Sequence, residues 1–205
     1  MFTKHLGLNT ESERKVGKIT VKLSHSILSA WAKGQSEQAI GYYLGKDLPA
    51  SDAMELGKLN HEIWERYITK NKSLPVELGG GKLRDPITEQ KYRKLIPFSD
   101  NYQILISGVL DLEDDNVITD FKCGRSEATS YTDSFQMDYY KLLRPDAKTG
   151  VYRCWNPYLK KLTIGIRFLS DKDAERALEH IITFGGEMIL YLASQKLLVD
   201  YKGTI

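Results

Sequence analysis

The residues that stand out for their chemistry are two aspartates and a lysine, Asp111, Asp120 and Lys122, within the short stretch 108–122. The Ile, Val, Leu and Phe residues around them predict two β-strands, so the acids interrupt otherwise apolar strands. Burying carboxylates there costs free energy through desolvation and mutual repulsion unless a cation compensates them. Oxygen ligands select Mg²⁺ or Mn²⁺ rather than zinc, and a lysine beside such an ion can orient a water or steady charge on a phosphate.

The turn between the two strands decides whether these side chains meet. A four-residue β-turn over Glu113–Asn116 places Asp111 opposite Ile118 in the ladder. Because side chains alternate along a strand, Phe121 then lies on one face, and the other face carries Asp111, Ile118, Asp120 and Lys122. Asp111 and Asp120 become diagonal neighbours about 7–8 Å apart, close enough to hold one ion. The alternative is that the aspartates end strands and Lys122 is a solvated edge lysine.

Two helical spacings belong with this site. Gly57-x-x-x-His61 lies in a predicted helix, where the glycine allows a neighbouring strand to approach and His61 could ligate a metal. A hydrogen-bonded core histidine is the alternative. Gln136-x-x-x-Tyr140 places an amide and a phenol on one face of a later helix, able to contact phosphates or to position the lysine.

Helices are predicted on both sides of a block of strands. Ser24 caps a first helix that reaches Tyr43, with its course around Gly34 left open. Ser51 or Asp52 caps a second helix that ends near Thr69. The apolar face of this second helix is predicted to consist of Leu56, Leu59, Ile63 and Tyr67.

The strands are predicted at 87–97, 102–112, 116–122, 150–156 and 161–168, the last two as a hairpin around Asn156-Pro157. A helix over 134–143 lies between them. A final helix begins at Ser170 and continues past Gly185-Gly186, where we expect a kink or a close helix packing. This order predicts an α/β or α+β fold with one mixed sheet.

The composition excludes several classes of protein. A chain of 205 residues with 41% hydrophobic and 27% charged residues is typical of one folded domain. It has no apolar run near 18 residues, and the first fifteen residues lack the apolar stretch of a secretory signal, so we expect no membrane partner and a cytoplasmic location. A net charge of +2 permits a nucleic-acid partner without requiring one. Cys123 and Cys154 have no CxxC spacing, which argues against a disulfide framework or a four-cysteine metal site.

Taken in order, these motifs resemble the PD-(D/E)XK nuclease superfamily, and within it the RecB-like branch that includes CRISPR-associated and mitochondrial genome-maintenance exonucleases. The matching residues follow one another between about 22 and 195: Ser24-His25-Ser26, Gly57-x-x-x-His61, Gly108-Val-Leu-Asp111, Asp120-Phe-Lys122 and Gln136-x-x-x-Tyr140. The resemblance implies a restriction-endonuclease-like core in which helices flank a central mixed sheet, spanning the chain as a single nuclease domain, 1–205.

The resemblance also implies roles for individual residues. The ligands of Mg²⁺ or Mn²⁺ would be His61, Asp111, Asp120 and the carbonyl of Phe121. Lys122 would be the catalytic lysine, with Asp111 and Asp120 completing the catalytic set. Gln136 and Tyr140 would belong to the branch's auxiliary motif, which would bind substrate, and Glu89 looks like its upstream glutamate.

This sequence lacks some features of the family, so the properties that depend on them are not expected here. Relatives with an iron–sulfur cluster have a cysteine after the first helix and three near the C-terminus, whereas this chain has Gly34-Gln35 at the first place and no cysteine beyond Cys154, so we expect no iron–sulfur cluster. It also lacks a GxxxxGK[ST] motif, so DNA unwinding would come from a helicase or recombination protein in trans.

The resulting hypothesis is a metal-dependent deoxyribonuclease that acts as an exonuclease on single-stranded DNA or DNA ends, in repair, recombination or the processing of phage or mobile-element DNA. A sequence- or structure-specific endonuclease and a catalytically inactive nucleic-acid-binding module are the alternatives. The basic residues that could follow a phosphate backbone, or simply form a solvated charged surface, are Lys91, Arg93, Lys94, Arg125, Lys160 and Lys161.

Overall fold

The computed structural model describes residues 18–46 and 51–202, so the first fifteen residues, from which we expect no secretory signal, lie outside the described part. The elements in chain order are β1 (Ile19–Ser24), α1 (His25–Ala32), α2 (Ser36–Tyr43), α3 (Asp52–Asn71), a 3₁₀ turn (Val76–Leu78), β2 (Ile87–Pro97), β3 (Tyr102–Asp114), β4 (Val117–Cys123), α4 (Thr129–Thr132), α5 (Gln136–Leu143), β5 (Thr149–Asn156), β6 (Lys161–Phe168), α6 (Asp171–His180), a π-helical turn (Ile181–Gly185) and α7 (Gly186–Ser194). None of the helices in these ranges is both long and apolar enough to cross a membrane.

The six strands within residues 18–46 and 51–202 belong to one mixed sheet with the order β1-β3-β4-β5-β6, in which β2 also pairs with β3. Strand β3 pairs parallel with β1 and antiparallel with both β2 and β4. Strand β4 then pairs parallel with β5, and β5 antiparallel with β6. The predicted fold class, an α/β chain whose central mixed sheet is flanked by helices, is confirmed.

Helix α3 covers one face of the sheet around β3 and β4. Its buried residues Trp64 and Ile68 pack with Leu112 and Phe121, and Trp64 is only 1% exposed. Truncating a buried aromatic residue of this kind costs about 3–5 kcal/mol. The position of α3, and of every residue that it presents to the sheet, therefore depends on this cluster.

Helix α5 packs against the residues of β3 and β4 that point away from α3. Met137 and Tyr140 of α5 form a buried cluster with Leu110 of β3 and Ile118 of β4. Further along β3, Ile104 and Ile106 pack with α1 and α7 in a separate cluster. The strand pair β3–β4 is thus enclosed by α3 and α5, which places groups from both helices within reach of its side chains.

The predicted apolar face of α3 is wrong. Its members Leu59, Ile63 and Tyr67 are exposed by 54%, 49% and 40%. Two stripes on this helix satisfy the helical spacing, and the buried one contains Trp64 and Ile68. The indole of Trp64 buries a large apolar surface and its N–H finds a hydrogen-bond partner, so packing selects this stripe over the aliphatic one.

The N-terminal part of the chain also differs from the prediction. Strand β1 was not predicted, although Val21 and Leu23 are fully buried and Lys22 between them is exposed. The first helix is two helices, because Gly34 adopts a φ of 74° between α1 and α2. A left-handed residue ends an α-helix, and glycine adopts that conformation without steric cost. Ser24 and Ser51 do cap α1 and α3, accepting the Ile27 and Met54 backbone N–H groups.

The predicted position of the turn between β3 and β4 is also wrong, by one residue: the four-residue turn runs from Asp114 to Val117, with Asp115 and Asn116 as its central residues, and not from Glu113 to Asn116. The ladder pairs Asp114 with Val117, Glu113 with Ile118 and Leu112 with Thr119, and it stops there. Asp115 has a φ of 55°, which suits the tight two-residue loop. The register differs from the predicted one by two residues, so the parity of the facing residues is unchanged.

The expectation for Gly185-Gly186 is confirmed. A π-helical turn, Ile181–Gly185, separates α6 from α7, and both glycines pack closely on the core. A Cβ atom at Gly186 would lie 2.6 Å from Cζ of Phe98, and one at Gly185 would lie 3.0 Å from Ile104. Only glycine allows this part of the helix to approach the sheet so closely.

Candidate active site

A cavity of about 640 Å³ lies between α3 and the ends of β2, β3 and β4. Its charged residues on the sheet side are Glu89, Asp111 and Lys122, and α3 contributes Lys58, His61, Glu62 and Glu65. Three of these side chains, His61, Glu89 and Asp111, offer ligand atoms that all lie within 4.8 Å of one another. One imidazole and two carboxylates at this spacing form a donor set that can hold a divalent ion.

An irregularity shared by β2 and β3 brings the two carboxylates together. Thr88 pairs with Leu112 and Gln90 with Leu110, but Glu89 and Asp111 between them are outside the ladder. Glu89 has a φ of 52°, a conformation that costs a non-glycine residue about 1–3 kcal/mol. Such strain persists when the surrounding pairing imposes it, and it often marks functional sites.

The same irregularity changes the direction of side chains along β3. Leu110 belongs to the buried cluster on the α5 side and Leu112 to the cluster on the α3 side, although regular alternation would put both on one face. The phase of β3 therefore shifts at Asp111. The carboxylate of Asp111 lies within reach of α3, with Oδ2 3.8 Å from Nδ1 of His61.

His61 reaches the site from α3. Burial lowers the pKa of His61, and the Lys122 ammonium lowers it further, against the opposing effects of Asp120 and of a hydrogen bond with the Phe121 backbone. A lowered pKa favours the neutral imidazole, which is the form that ligates metals. The expected close approach of a strand at Gly57 is not observed, since a Cβ atom there would meet nothing within 4 Å.

Asp111 is the most perturbed carboxylate of the site. Its Oδ2 accepts the backbone N–H of Phe121 at 2.7 Å, a bond that takes the place of further ladder pairing between β3 and β4. Burial raises the pKa of Asp111 well above its ordinary value, and repulsion from Asp120 raises it further. Negative charge thus accumulates here without full compensation by protein groups, a situation that a bound cation relieves.

Asp120 lies next to the three-residue group, 1% exposed on β4. Its Oδ1 accepts hydrogen bonds from Nε2 of Gln136 at 2.6 Å and from Oη of Tyr140 at 3.2 Å. Its Oδ2 accepts no well-aligned hydrogen bond from the described part of the chain and lies 2.7 Å from Nζ of Lys122. A buried carboxylate oxygen that lacks a well-aligned donor can also be stabilised by a cation.

Lys122 keeps its charge in this setting. Burial alone would lower the pKa of Lys122, but the carboxylates of Asp120 and Asp111 outweigh burial and raise the pKa above its ordinary value. The ammonium also lies 5.6 Å from the ring centroid of Tyr131. Lys122 therefore supplies a positive charge directly beside the acidic group.

The structure thus brings together most of the residues predicted from the sequence. Gln136 and Tyr140, predicted as substrate-binding residues, are hydrogen-bonded to each other and to Asp120. Arg125 is exposed, does not line the cavity, and stacks 5.2 Å from the ring centroid of Tyr158. Glu89, matched only through family resemblance, lies within the three-residue group.

A second cavity of about 370 Å³ adjoins this site on the α5 side. Its basic residues are Lys22, Lys91 and Arg93, and its hydroxyl groups come from Ser24, Ser26 and Ser107. Gln136 and Tyr140 also line it. Lys94 takes a different direction, since its ammonium donates to the Leu142 carbonyl at 3.4 Å. Sequence reasoning missed Lys22 because it missed strand β1.

Comparison with known proteins identifies the fold. No family model and no curated protein matches the sequence. The crystal structure of SSO0001 matches with a TM-score of 0.54 at 16% identity, covering 83% of this chain and 76% of that chain. The crystal structure of a Eubacterium rectale protein, provisionally named an exonuclease, matches with a TM-score of 0.53 at 11% identity. The match covers 96% of this chain and 89% of that chain.

The alkaline exonuclease LHK-Exo from Laribacter hongkongensis gives a TM-score of 0.46 at 13% identity, covering 85% of this chain and 91% of that chain. The structural neighbours therefore include exonucleases. At these identities the two matches above 0.5 establish a shared fold.

Proposed function

We propose that this protein is a Mg²⁺- or Mn²⁺-dependent deoxyribonuclease that hydrolyses phosphodiester bonds, acting as an exonuclease on single-stranded DNA or DNA ends. One observation carries the proposal: His61, Glu89 and Asp111 converge within 4.8 Å of one another beside the Asp120–Lys122 pair. The presence of an exonuclease name among the structural neighbours supports the proposal.

The residues that would hold the ion are His61, Glu89, Asp111, Asp120 and the carbonyl of Phe121. They fit a divalent cation, because the pKa of Asp111 is raised by burial and by Asp120, and because Oδ2 of Asp120 is buried without a well-aligned donor. When bound, such an ion supplies Lewis-acid polarisation of the scissile phosphate and lowers the pKa of a bound water.

Lys122 then acts directly on the reacting groups. Its ammonium is held charged beside Asp120, at the edge of the acidic group, where it can orient the attacking water or stabilise the negative charge that develops on the phosphate. A contribution of this kind typically accelerates a reaction by about 10²–10⁴-fold.

Gln136 and Tyr140 act through Asp120 and are positioning residues. Their two hydrogen bonds fix Oδ1 of Asp120, so that only Oδ2 remains directed towards Lys122 and the site. The adjoining basic cavity would receive the phosphates of the DNA strand, with Lys91 and Arg93 as the contacts. A helicase or recombination protein in trans would supply any DNA unwinding.

The test is a gel assay of the purified protein on end-labelled linear and circular DNA, single- and double-stranded, in Mn²⁺, Mg²⁺, Ca²⁺ or EDTA. We expect Mn²⁺ to support cleavage at least as well as Mg²⁺, because an imidazole among oxygen ligands weakens the preference for Mg²⁺. Ca²⁺ should bind without turnover. Stepwise shortening of linear DNA, with circular DNA left intact, is the expected exonuclease pattern.

Two variants complete this test. Asp111→Asn removes a proposed ligand and should abolish both Mn²⁺ binding, measured by calorimetry, and cleavage. Glu187→Gln changes a carboxylate on α7, away from the cavity, and should leave both unchanged. Equal cleavage in EDTA, or full activity of Asp111→Asn, would contradict the proposed metal mechanism.

A further inference from the structure

A third cavity, of about 520 Å³, lies between β1, the end of α2 and the C-terminal segment 199–201. Three tyrosines line it: Tyr42, Tyr43 and Tyr201. Aliphatic side chains, including Leu23 and Leu44, form much of the remaining wall. Its size and its mostly apolar lining with a few polar groups are those of a site for a small organic ligand or a single nucleotide unit.

The wall formed by the C-terminal segment is built into the fold. The Tyr201 backbone N–H donates to the Thr20 carbonyl at 2.8 Å, and the Thr20 N–H donates to Oδ1 of Asp200 at 2.9 Å. The Val199 N–H donates to the hydroxyl of Tyr43 at 2.8 Å. These bonds attach the segment to β1 and α2, so the Tyr201 ring has a defined place in the cavity.

This cavity shares part of its wall with the basic cavity described above. Both are lined by Lys22, Ser24 and Ser107, which are neighbours on the paired strands β1 and β3. Lys22 also has its ammonium 5.3 Å from the centroid of the Tyr201 ring. Asp120 is therefore linked to the tyrosines by a series of contacts: Gln136 donates a hydrogen bond to Asp120 and lines the basic cavity, and Lys22 lines both that cavity and the tyrosine-lined one.

We propose that this tyrosine-lined cavity binds one unpaired base of the DNA strand whose phosphates occupy the basic cavity. The inference rests on the proposed nuclease function and specifies its substrate. Aromatic rings stack on any base, and the positive charge of Lys22 lies at the boundary where a nucleotide's phosphate meets its base. A paired base is stacked inside the duplex and cannot enter, so the enzyme selects single-stranded or unpaired ends.

The experiment measures fluorescence anisotropy of labelled single-stranded oligonucleotides in Ca²⁺, with gels confirming that each strand stays intact. An abasic position is moved along the strand one nucleotide at a time, so that the base occupying the cavity is found without knowing the polarity. We expect one abasic position to weaken binding by the unaltered protein roughly tenfold, as for the loss of one stacked base.

Tyr201→Ala should weaken binding of the intact strand by a similar roughly tenfold factor and should lose the sensitivity to that abasic position. Tyr201→Phe keeps the ring and should bind as the unaltered protein does. Tyr67→Ala is the matched control, because Tyr67 is 40% exposed on α3 and does not line this cavity. Thermal melting of each variant checks that the fold is retained.

The two proposals fail differently. The cavity does not hold a base if Tyr201→Ala binds the intact strand as tightly as the unaltered chain does. The same conclusion follows if the loss of affinity caused by Tyr201→Ala adds to the loss at every abasic position. Either result contradicts this inference even when the unaltered chain cleaves DNA normally. If the unaltered chain neither binds nor cleaves DNA with any metal, the nuclease proposal fails and this inference fails with it.

Discussion

Gln136 donates its side-chain amide to Oδ1 of Asp120 at 2.6 Å, across the space between α5 and β4. The amide also donates to the hydroxyl of Tyr140, one helical turn later, which in turn donates to the same carboxylate oxygen. Asp120 is almost fully buried, so these bonds offset part of the cost of burying its charge. The helix from which substrate contacts are predicted thus also fixes the orientation of the Asp120 carboxylate.

This arrangement predicts the effect of replacing Gln136. Gln136→Ala leaves the Tyr140 hydroxyl as the single partner of Oδ1, and we expect about a tenfold loss in cleavage rate from misplacement of Asp120. Gln136→Glu places a second negative charge against Asp120 and should cost more. Single-turnover rates measured against Mn²⁺ concentration test this, because a positioning defect is partly rescued by excess Mn²⁺. Rates unchanged in both variants would show that Gln136 does not position Asp120.

Replacing Lys122 should separate the binding of metal and DNA from the cleavage reaction. Lys122→Ala leaves His61, Glu89 and Asp111 in place and removes a positive charge near the proposed ion, so Mn²⁺ and DNA should still bind. Cleavage should fall by on the order of 10²-fold or more. Calorimetry with Mn²⁺ and a gel assay on the same samples measure the two properties.

The control for Lys122→Ala is Lys172→Ala, which removes an exposed lysine on α6 and should change neither property. Because Lys122 is the ionic partner of a buried carboxylate, the variant should also unfold at lower urea concentration. Cleavage by Lys122→Ala at the parent rate would remove this lysine from the mechanism and favour a binding module instead.

Most strands of the sheet could be predicted from the sequence, because alternating apolar residues and the turn residues between them mark where each strand begins and ends. Strands β2 and β6 begin and end where the residues indicate, and Asp120 and Lys122 lie on the expected strand. The position of Glu89 could not be predicted in this way, because its left-handed φ arises from the pairing of its neighbours with β3. Sequence patterns along one strand do not reveal which of two paired strands will contain the residue that leaves the ladder.

Two other differences have the same origin in tertiary packing. The choice between the two stripes of α3 was made by the fit of Trp64 against Phe121, whose rings lie 5.7 Å apart. The partner of Gln136 depends on how closely α5 approaches β4, which no spacing along the helix reveals. Periodicity predicts which residues share a face, and packing decides which face is buried.

Two helical glycines give a matched pair of stability predictions. Gly186→Ala introduces a Cβ atom 2.6 Å from the Phe98 ring and should lower the free energy of unfolding by about 1–3 kcal/mol. Gly57→Ala on α3 meets nothing within 4 Å and should raise it by about 0.5–1 kcal/mol through better helix propensity. Urea unfolding followed by circular dichroism measures both. A Gly186→Ala protein as stable as the parent would mean that Phe98 moves freely away.

The last prediction concerns acid stability and His25, the first residue of α1. Burial, followed by the charges of Lys122, His180 and Lys33, lowers the pKa of His25 from 6.5 to about 4. Above pH 6.5 the imidazole is neutral in both the folded and unfolded states, so it contributes no pH dependence. Between pH 6.5 and 4 the unfolded chain binds a proton that the folded protein does not, and the folded state loses stability as the pH falls, by at most about 1.4 kcal/mol per pH unit. His25→Gln removes this titration and should flatten the decline of unfolding free energy over that range. Parallel curves for the two proteins, measured by urea unfolding at half-unit pH steps, would show that His25 titrates normally in the folded state.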